Sequence, residues 1–478
     1  MTGGSEVERP RASDLLASAS VLGRPPMLMS LADVRQSTSA HLKARCLGCL
    51  QSPCSTAACT PITHQSRPGR NWDSHSKGRG IIVTMPNPDT TTRPLTVAGL
   101  FAGIGGVEVG LQAAGMQTKL LCEWWEPAQA VLEHRFPGIP LHDDIQTLAS
   151  LPDVDVVTAG FPCTDLSQAG RTAGIHGEAS GMVKHLIKLL DDASPRWVVI
   201  ENVRNMLALD KGTAMEYLVS EFERLGFTWA YRLVDSRFTG VPQRRQRVIF
   251  VASRTDDPCA VLFADDADER PETDYSADAF GFYWTEGNTG LGWAQDALPT
   301  LKGGSGLGIP SSPAMWLPGA EPGRAILTPR IEDAEALQGF PRGWTEAALQ
   351  KAKPGVRWKL VGNAVTVGVS QWLGQRLISP GVYDETGQII LPKGMRWPTA
   401  AWGNSTQRWA APLSLWPERR RYQHLLDLVD VQQAAPLSLR ATAGFHGRLL
   451  KSRLRYPQAF SDALKLHAER MSGAVPVS

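Results

Sequence analysis

The residues best suited to covalent chemistry lie in GFPCTDLSQAG, residues 160–170. Cys163 follows a proline in a polar loop, directly after an apolar run, DVDVVTAG (153–160), that reads as a buried strand. Cys122 and Cys259 sit in apolar surroundings of the kind that hold inert thiols, whereas the Cys163 thiolate is a candidate nucleophile. Glu201 closes the next apolar run at ENV, and partial burial behind VVI suits it to proton donation. FAGIGG (101–106) follows the first apolar run and opens a helical pattern, where glycines let backbone N–H groups approach a ligand; a tight turn explains them almost as well. Glu123 stands about twenty residues further on, the place of an acidic side chain that accepts from ribose hydroxyls. Asp144, in HDDIQTL, is another candidate at a later turn. A thiol nucleophile, a carboxylic acid and a nucleoside pocket together point to covalent chemistry on an electron-poor ring.

These residues need a scaffold that brings strand ends together. LTVAGLF (95–101), TKLLCEW (118–124), DVDVVTAG, RWVVIENV (196–203) and QRVIFVAS (246–253) read as strands. Between them, GGVEVGLQAAG (105–115), EPAQAVLEHRF (126–136), residues 178–192 and GTAMEYLVSEFERLGF (212–227) have helical spacing. Strands alternating with helices imply an α/β protein with a parallel, doubly wound sheet, and ligands bind beyond the carboxyl ends of such strands. After residue 253 the rhythm breaks into a stretch rich in Asp, Gly and Pro, with FGFYW (280–284) and LKGGSGLGIP (301–310), before helical pattern returns at 331–378. The last stretch, 417–472, suggests two or three helices.

The expected organisation is a disordered leader (1–84), a catalytic and cofactor-binding α/β domain (85–253), a target-recognition region (254–323), a return segment completing the catalytic domain (324–380) and a basic, partly helical C-terminal extension (381–478). The functional product is expected to start near Met85. Cys46, Cys49, Cys54 and Cys59 crowd the leader, but they lack the paired second half of a zinc site and are read as part of an unstructured segment, so no metal is expected. With no signal peptide and no apolar run long enough to span a membrane, a cytoplasmic protein with few disulfides is expected. Net charge is +2 overall, yet residues 85–380 hold 26 basic and 35 acidic side chains. Nucleic-acid binding there requires a local basic cleft.

FAGIGG, GFPCTDLSQAG, ENV, QRRQR (243–247), LTPRIEDAEALQGFP (327–341) and VGNAV (361–365) stand in the order seen in DNA cytosine-5 methyltransferases, which this chain resembles over roughly residues 95–378. The resemblance implies a Rossmann-like, S-adenosylmethionine-dependent methyltransferase fold with a small irregular target-recognition domain. It implies that Phe101, Gly103 and Gly105 line the S-adenosylmethionine pocket, Glu123 binds the ribose, Trp124 stacks on adenine and Asp144 meets the adenine edge. Asn363 and Val365 would close the methionine end, and Pro162 would shape the nucleophile loop beside it. Cys163 would attack C6 of a flipped cytosine while Glu201 holds or protonates N3; the flip is needed because these atoms are unreachable within the stack. Arg245 and Arg247 would position the base and its phosphates, with Gln243 a further DNA contact; Lys302 and Ser305, in LKGGSGLGIP, are candidates for a loop near the DNA, a solvated glycine loop being the alternative.

Two departures from the family pattern stand out: Gly99 takes the place of an Asp in the first motif, and Asp143-Asp144-Ile145 replaces Gly-Asp-Ile. Neither removes a group assigned to chemistry. The acidic run DDADE (265–269) is expected to face solvent, and the basic RLLKSRLR (448–455) to form a solvated helical face rather than a phosphate contact. The partner is double-stranded DNA, with a cognate restriction endonuclease or an orphan or phage setting both open, and a monomer is expected. Two rival readings are a transfer-RNA cytosine methylase, disfavoured by the insert before LTPR, and a catalytically silent DNA-binding protein, disfavoured by intact Cys163 and Glu201.

Overall fold

β1 (Thr96–Leu100), β2 (Gln117–Cys122), β3 (Leu141–His142), β4 (Val156–Ala159) and β5 (Trp197–Val203) pair side by side and parallel, in the order β3–β2–β1–β4–β5. The computed structural model describes residues 93–162, 181–284, 290–302 and 313–473; Cys163, Ser305, the leader and its cysteine cluster lie outside them. β4 is buried along its whole length and β1 along all but its first residue, as expected of strands covered on both faces. The covering helices are α1 (Gly106–Ala113), α2 (Glu126–Arg135, with Pro127 in its first turn), α3 (Gly181–Asp192) and α4 (Thr213–Arg224).

Beyond β5 the sheet departs from the all-parallel expectation. β6 (Thr228–Asp235), a strand the apolar pattern did not single out, is joined to β8 (Gln246–Ser253) by a short link that holds one 3-10 turn (Ser236–Thr239) and the two-residue β7 (Gln243–Arg244). A link this short cannot carry a parallel crossover, so β8 runs antiparallel between β5 and β6.

After α5 (Pro258–Leu262), β9 (Phe280–Trp284), β10 (Leu291–Gln295), β12 (Ala314–Trp316) and β13 (Ile326–Thr328) form a second, antiparallel sheet, while β11 (Leu298–Pro299) pairs with β7. The return segment then supplies α6 (Ile331–Leu337), α7 (Val356–Asn363) and α8 (Val367–Ile378). The segment after residue 380 is woven into both sheets. β14 (Ile389–Ile390), β15 (Ala400–Gly403) and β16 (Arg408–Ala410) extend the main sheet beyond β6, and β17 (Ala435–Pro436) closes the second beside β13. α9 (Leu425–Leu428) precedes β17; α10 (Leu439–Lys451) and α11 (Gln458–Met471) follow and pack on the second sheet, where the Phe282 ring lies 4.9 Å from Phe445 and Phe460. Arg448, Lys451, Arg453 and Arg455 are exposed, while Leu449 is buried.

The acidic run does not simply face solvent. Asp265 pairs with Arg376 at 2.5 Å, Asp266 with the fully buried Arg232, and Glu269 with Arg237 at 3.1 Å; Asp268 alone is fully exposed. The buried Arg232 and Arg237 need these acceptors, which decides where Asp266 and Glu269 go. Among the described residues no helix is long and apolar enough to cross a membrane.

α1 and α8 approach closely because glycine lines the contact. A Cβ on Gly110 would lie 2.4 Å from the Ser370 Cβ and 2.6 Å from the Gln371 amide, and one on Gly106 would lie 2.7 Å from the Val365 carbonyl. This contact docks the return segment against the first motif. Gly110→Val is expected to cost about 1–3 kcal/mol through overpacking, read as a lower denaturation midpoint in urea.

Candidate active site and cofactor cavity

The turn after β1 is strained and held from outside. Phe101 adopts φ +56° and Gly103 φ +58°, the left-handed region that a bulky side chain rarely enters. Glu123, just past β2, holds the turn: one carboxylate oxygen accepts from the Gly103 amide at 2.8 Å and the other from the Trp125 amide at 2.9 Å. Burial pushes the Glu123 carboxyl above its ordinary range, and the amides of Trp125 and Gly103 pull it back.

Around this turn lies a cavity of about 430 Å³ bordered by Phe101, Gly103, Glu123, Trp124, Asn363 and Val365. A side chamber of about 190 Å³ shares Phe101, Glu123 and Trp124 with it and adds Asp144 and Ile145. Trp124 is 70% exposed, leaving its indole open for stacking. The chamber pairs apolar and aromatic walls with the carboxylates of Glu123 and Asp144, a lining suited to a nucleoside. Cys122 also borders it, and desolvation pushes its thiol up to about 12, consistent with an inert buried cysteine. Gly105 does not border the cavity. It caps α1 at φ +82°, its amide donates to the Ala102 carbonyl, and its Cβ position is filled by Phe136, so it serves the turn rather than the pocket.

A wider cleft of about 730 Å³ lies on the other side of Pro162, Glu201 and Asn363, which border both spaces. Glu201 ion-pairs with Arg247 at 2.7 Å, so a guanidinium faces this carboxyl in addition to the partial burial expected for it. Asn202, next in the strand, donates to the Phe161 carbonyl at 3.0 Å and so fixes the backbone immediately before Pro162. The cleft also presents Arg204, Arg244 and Lys302, with the Lys302 ammonium 4.6 Å from the centre of the Tyr283 ring. This is a local basic cleft within an acidic domain.

Two expected contacts turn away from it. Arg245 is fully buried and donates to the carbonyls of Leu301, Gly362 and Ala364; desolvation holds its guanidinium well below the usual value. Gln243, also fully buried, donates to the Leu337 carbonyl and to Gln338 Oε1. Side chains alternate along an extended stretch, so with Gln243 and Arg245 turned inward, Arg244 and Gln246 border the cleft. Sequence reasoning missed Arg204, Arg244, Gln246 and Asn202; for Arg244 and Gln246, the two-residue period of QRRQR was an available signal. Among the described residues no cluster of His, Cys, Asp or Glu is arranged to hold a metal ion.

Residues 95–281 match the family model for C-5 cytosine-specific DNA methylases. Type II methyltransferase M2.BsuMI of Bacillus subtilis (strain 168) is 42% identical over 391 residues, covering 79% of this chain and 99% of that protein. Type II methyltransferase M.BsuFI of Bacillus subtilis is 31% identical over 34% of this chain and 40% of its own length. Among solved structures, Dnmt2 methyltransferase of S. pombe aligns with a TM-score of 0.45 and 16% identity over 59% of this chain and 98% of that one.

The Asn202 bond to Phe161 yields a direct expectation. Asn202→Ala leaves a buried carbonyl unpaired and is expected to lower stability by about 1–3 kcal/mol in urea unfolding.

Proposed function

The chain belongs to the C-5 cytosine-specific DNA methylases, and from that premise we propose that its two joined cavities bring a methyl donor and a flipped DNA cytosine together at Pro162, Glu201 and Asn363. It is a DNA cytosine-5 methyltransferase. The observation that carries the mechanistic reading is the shared wall, since methyl transfer needs donor and acceptor to meet while each keeps its own pocket.

The smaller cavity suits S-adenosylmethionine. Glu123 can accept from ribose hydroxyls with lone pairs left over by its two amide bonds, Trp124 can stack on adenine, and Asp144 lies at the purine's edge. Asn363 and Val365 would border the methionine end. When bound, this cofactor supplies an electrophilic methyl group carried on a sulfonium. On the cleft side, the Cys163 thiolate would add to C6 of the extruded cytosine, with electron density moving through the ring to N3. Glu201, held by Arg247, would bind or protonate N3 and leave C5 nucleophilic. C5 then takes the methyl group, loses its proton to a base, and the bond from Cys163 to C6 breaks, restoring both the aromatic ring and the thiolate.

Arg204, Arg244 and Lys302 would meet phosphates or base edges of double-stranded DNA flanking the flipped nucleotide. Ser305, on the glycine-rich stretch after Lys302, is retained as a candidate DNA contact. The likeness to M2.BsuMI supports a place in a type II restriction–modification system, with a cognate endonuclease cutting the same site. We place the enzyme in the cytoplasm, acting as a monomer.

Base-resolution mapping of 5-methylcytosine in a methylation-free bacterial host expressing the full chain tests this reading. One enriched sequence motif is expected, absent with Cys163→Ala. Soluble protein that leaves host DNA unmethylated would overturn it.

A further inference from the structure

Glu108 is a buried carboxylate with no part in the chemistry at Pro162, Glu201 and Asn363. It lies on α1, borders the cofactor cavity and is 1% exposed. Its Oε1 accepts from the Thr158 hydroxyl at 3.3 Å, while its Oε2 has no hydrogen-bond partner and no Lys or Arg pairs with it among the described residues. Burial pushes the carboxyl up to about 7, against the pull of its own amide and the Thr158 hydroxyl. A carboxylate left this way in a protein interior is costly unless a cation or donor completes it.

Gly99 explains why the group can be there. A Cβ on Gly99 would lie 2.2 Å from Glu108 Oε1 and 2.9 Å from its Cδ. Gly99 sits within β1, and its φ is not in the left-handed region, so no turn demands glycine at this position. Glycine weakens a strand, and here it marks a close approach. The Glu108 carboxylate thus fills the volume that a side chain at position 99 would occupy, the position where the sequence departs from the family pattern.

The location within the cavity selects the ligand group. Asp144 and Ile145 border only the side chamber, at the nucleoside end. Thr158, which holds Glu108, lies on β4 two residues before Gly160, and a Cβ on Gly160 would be 3.8 Å from Glu201 Oε2. Glu108 therefore stands at the end of the cavity nearer the reacting centre, where the amino-acid portion of the cofactor must lie if its nucleoside occupies the chamber. We propose that Glu108 is the receptor for the α-ammonium of the cofactor's amino-acid tail, delivered from helix α1 into the space vacated by the glycine at position 99. This rests on the reading of the cavity as an S-adenosylmethionine site.

Calorimetric binding of S-adenosylhomocysteine and of 5′-methylthioadenosine, which lacks the amino-acid tail, separates this role from a structural one. Neither ligand carries the sulfonium. Glu108→Gln is expected to weaken S-adenosylhomocysteine binding about ten- to hundredfold, the loss of a charge-assisted bond, while 5′-methylthioadenosine binds as to the native chain. A second variant, Gly99→Asp/Glu108→Ala, returns a carboxylate to the same volume from the strand and is expected to recover most of the lost affinity. Equal loss for both ligands in Glu108→Gln, or unchanged S-adenosylhomocysteine affinity, would overturn the assignment. Native protein that binds neither ligand would overturn both the assignment and the cofactor reading beneath it.

Discussion

The arrangement depends on one buried guanidinium. Arg245 gathers the carbonyls of Leu301, Gly362 and Ala364, which belong to the start of the glycine-rich loop and to both sides of Asn363. Two chain segments far apart in sequence are thereby fixed to the residue just ahead of β8, the strand beside β5. Gln338 reinforces the joint by donating to the Val361 carbonyl and accepting from Thr366 and Gln243. A charge this deeply buried is tolerated only when carbonyl dipoles surround it, so Leu301 and the residues around Asn363 cannot move away without exposing an expensive defect. Asn363 owes its place between the two cavities to this joint.

The same economy appears at the first motif. The strained Phe101 turn persists because Glu123 binds the amides of Gly103 and Trp125, and the turn in turn borders the cavity. Glycines at 106 and 110 let α8 press against α1, bringing Val365 beside the turn. Charge is arranged with equal locality: acidic side chains of the 265–269 run are taken up by Arg232, Arg237 and Arg376, while Arg204, Arg244, Arg247 and Lys302 border the cleft. An overall acidic domain can present a basic groove because its acids are paired elsewhere.

Much of this was legible from sequence, because buried parallel strands are written as apolar runs and their carboxyl ends as Gly, Glu and Pro. Glu123 and Glu201 could be placed at strand ends from that pattern, Asp144 at a later turn, and the role of Trp124 followed from the family resemblance. The antiparallel β6–β8 pair was not legible, since TWAYRLVD carries Arg232 in its middle and reads as polar until Asp266 and nearby carbonyls are seen to receive the arginine. Nor could spacing say which arginines of QRRQR face inward, because the two-residue period leaves the choice of face to tertiary contacts. The exchange between Gly99 and Glu108 was invisible for the same reason: nine positions apart in sequence, they meet only when α1 lies on β1.

Covalent attack by Cys163 on a flipped cytosine beside Glu201 can be trapped with duplex DNA carrying 5-fluorocytosine. After methyl transfer, C5 cannot release fluorine as a cation, so elimination of the cysteine is blocked and the adduct persists. With S-adenosylmethionine present, the expected product is a protein–DNA complex that survives denaturation and whose modified peptide, by mass spectrometry, carries the nucleotide on Cys163. Turnover on ordinary cytosine without any trapped complex, or an adduct on another residue, would contradict it.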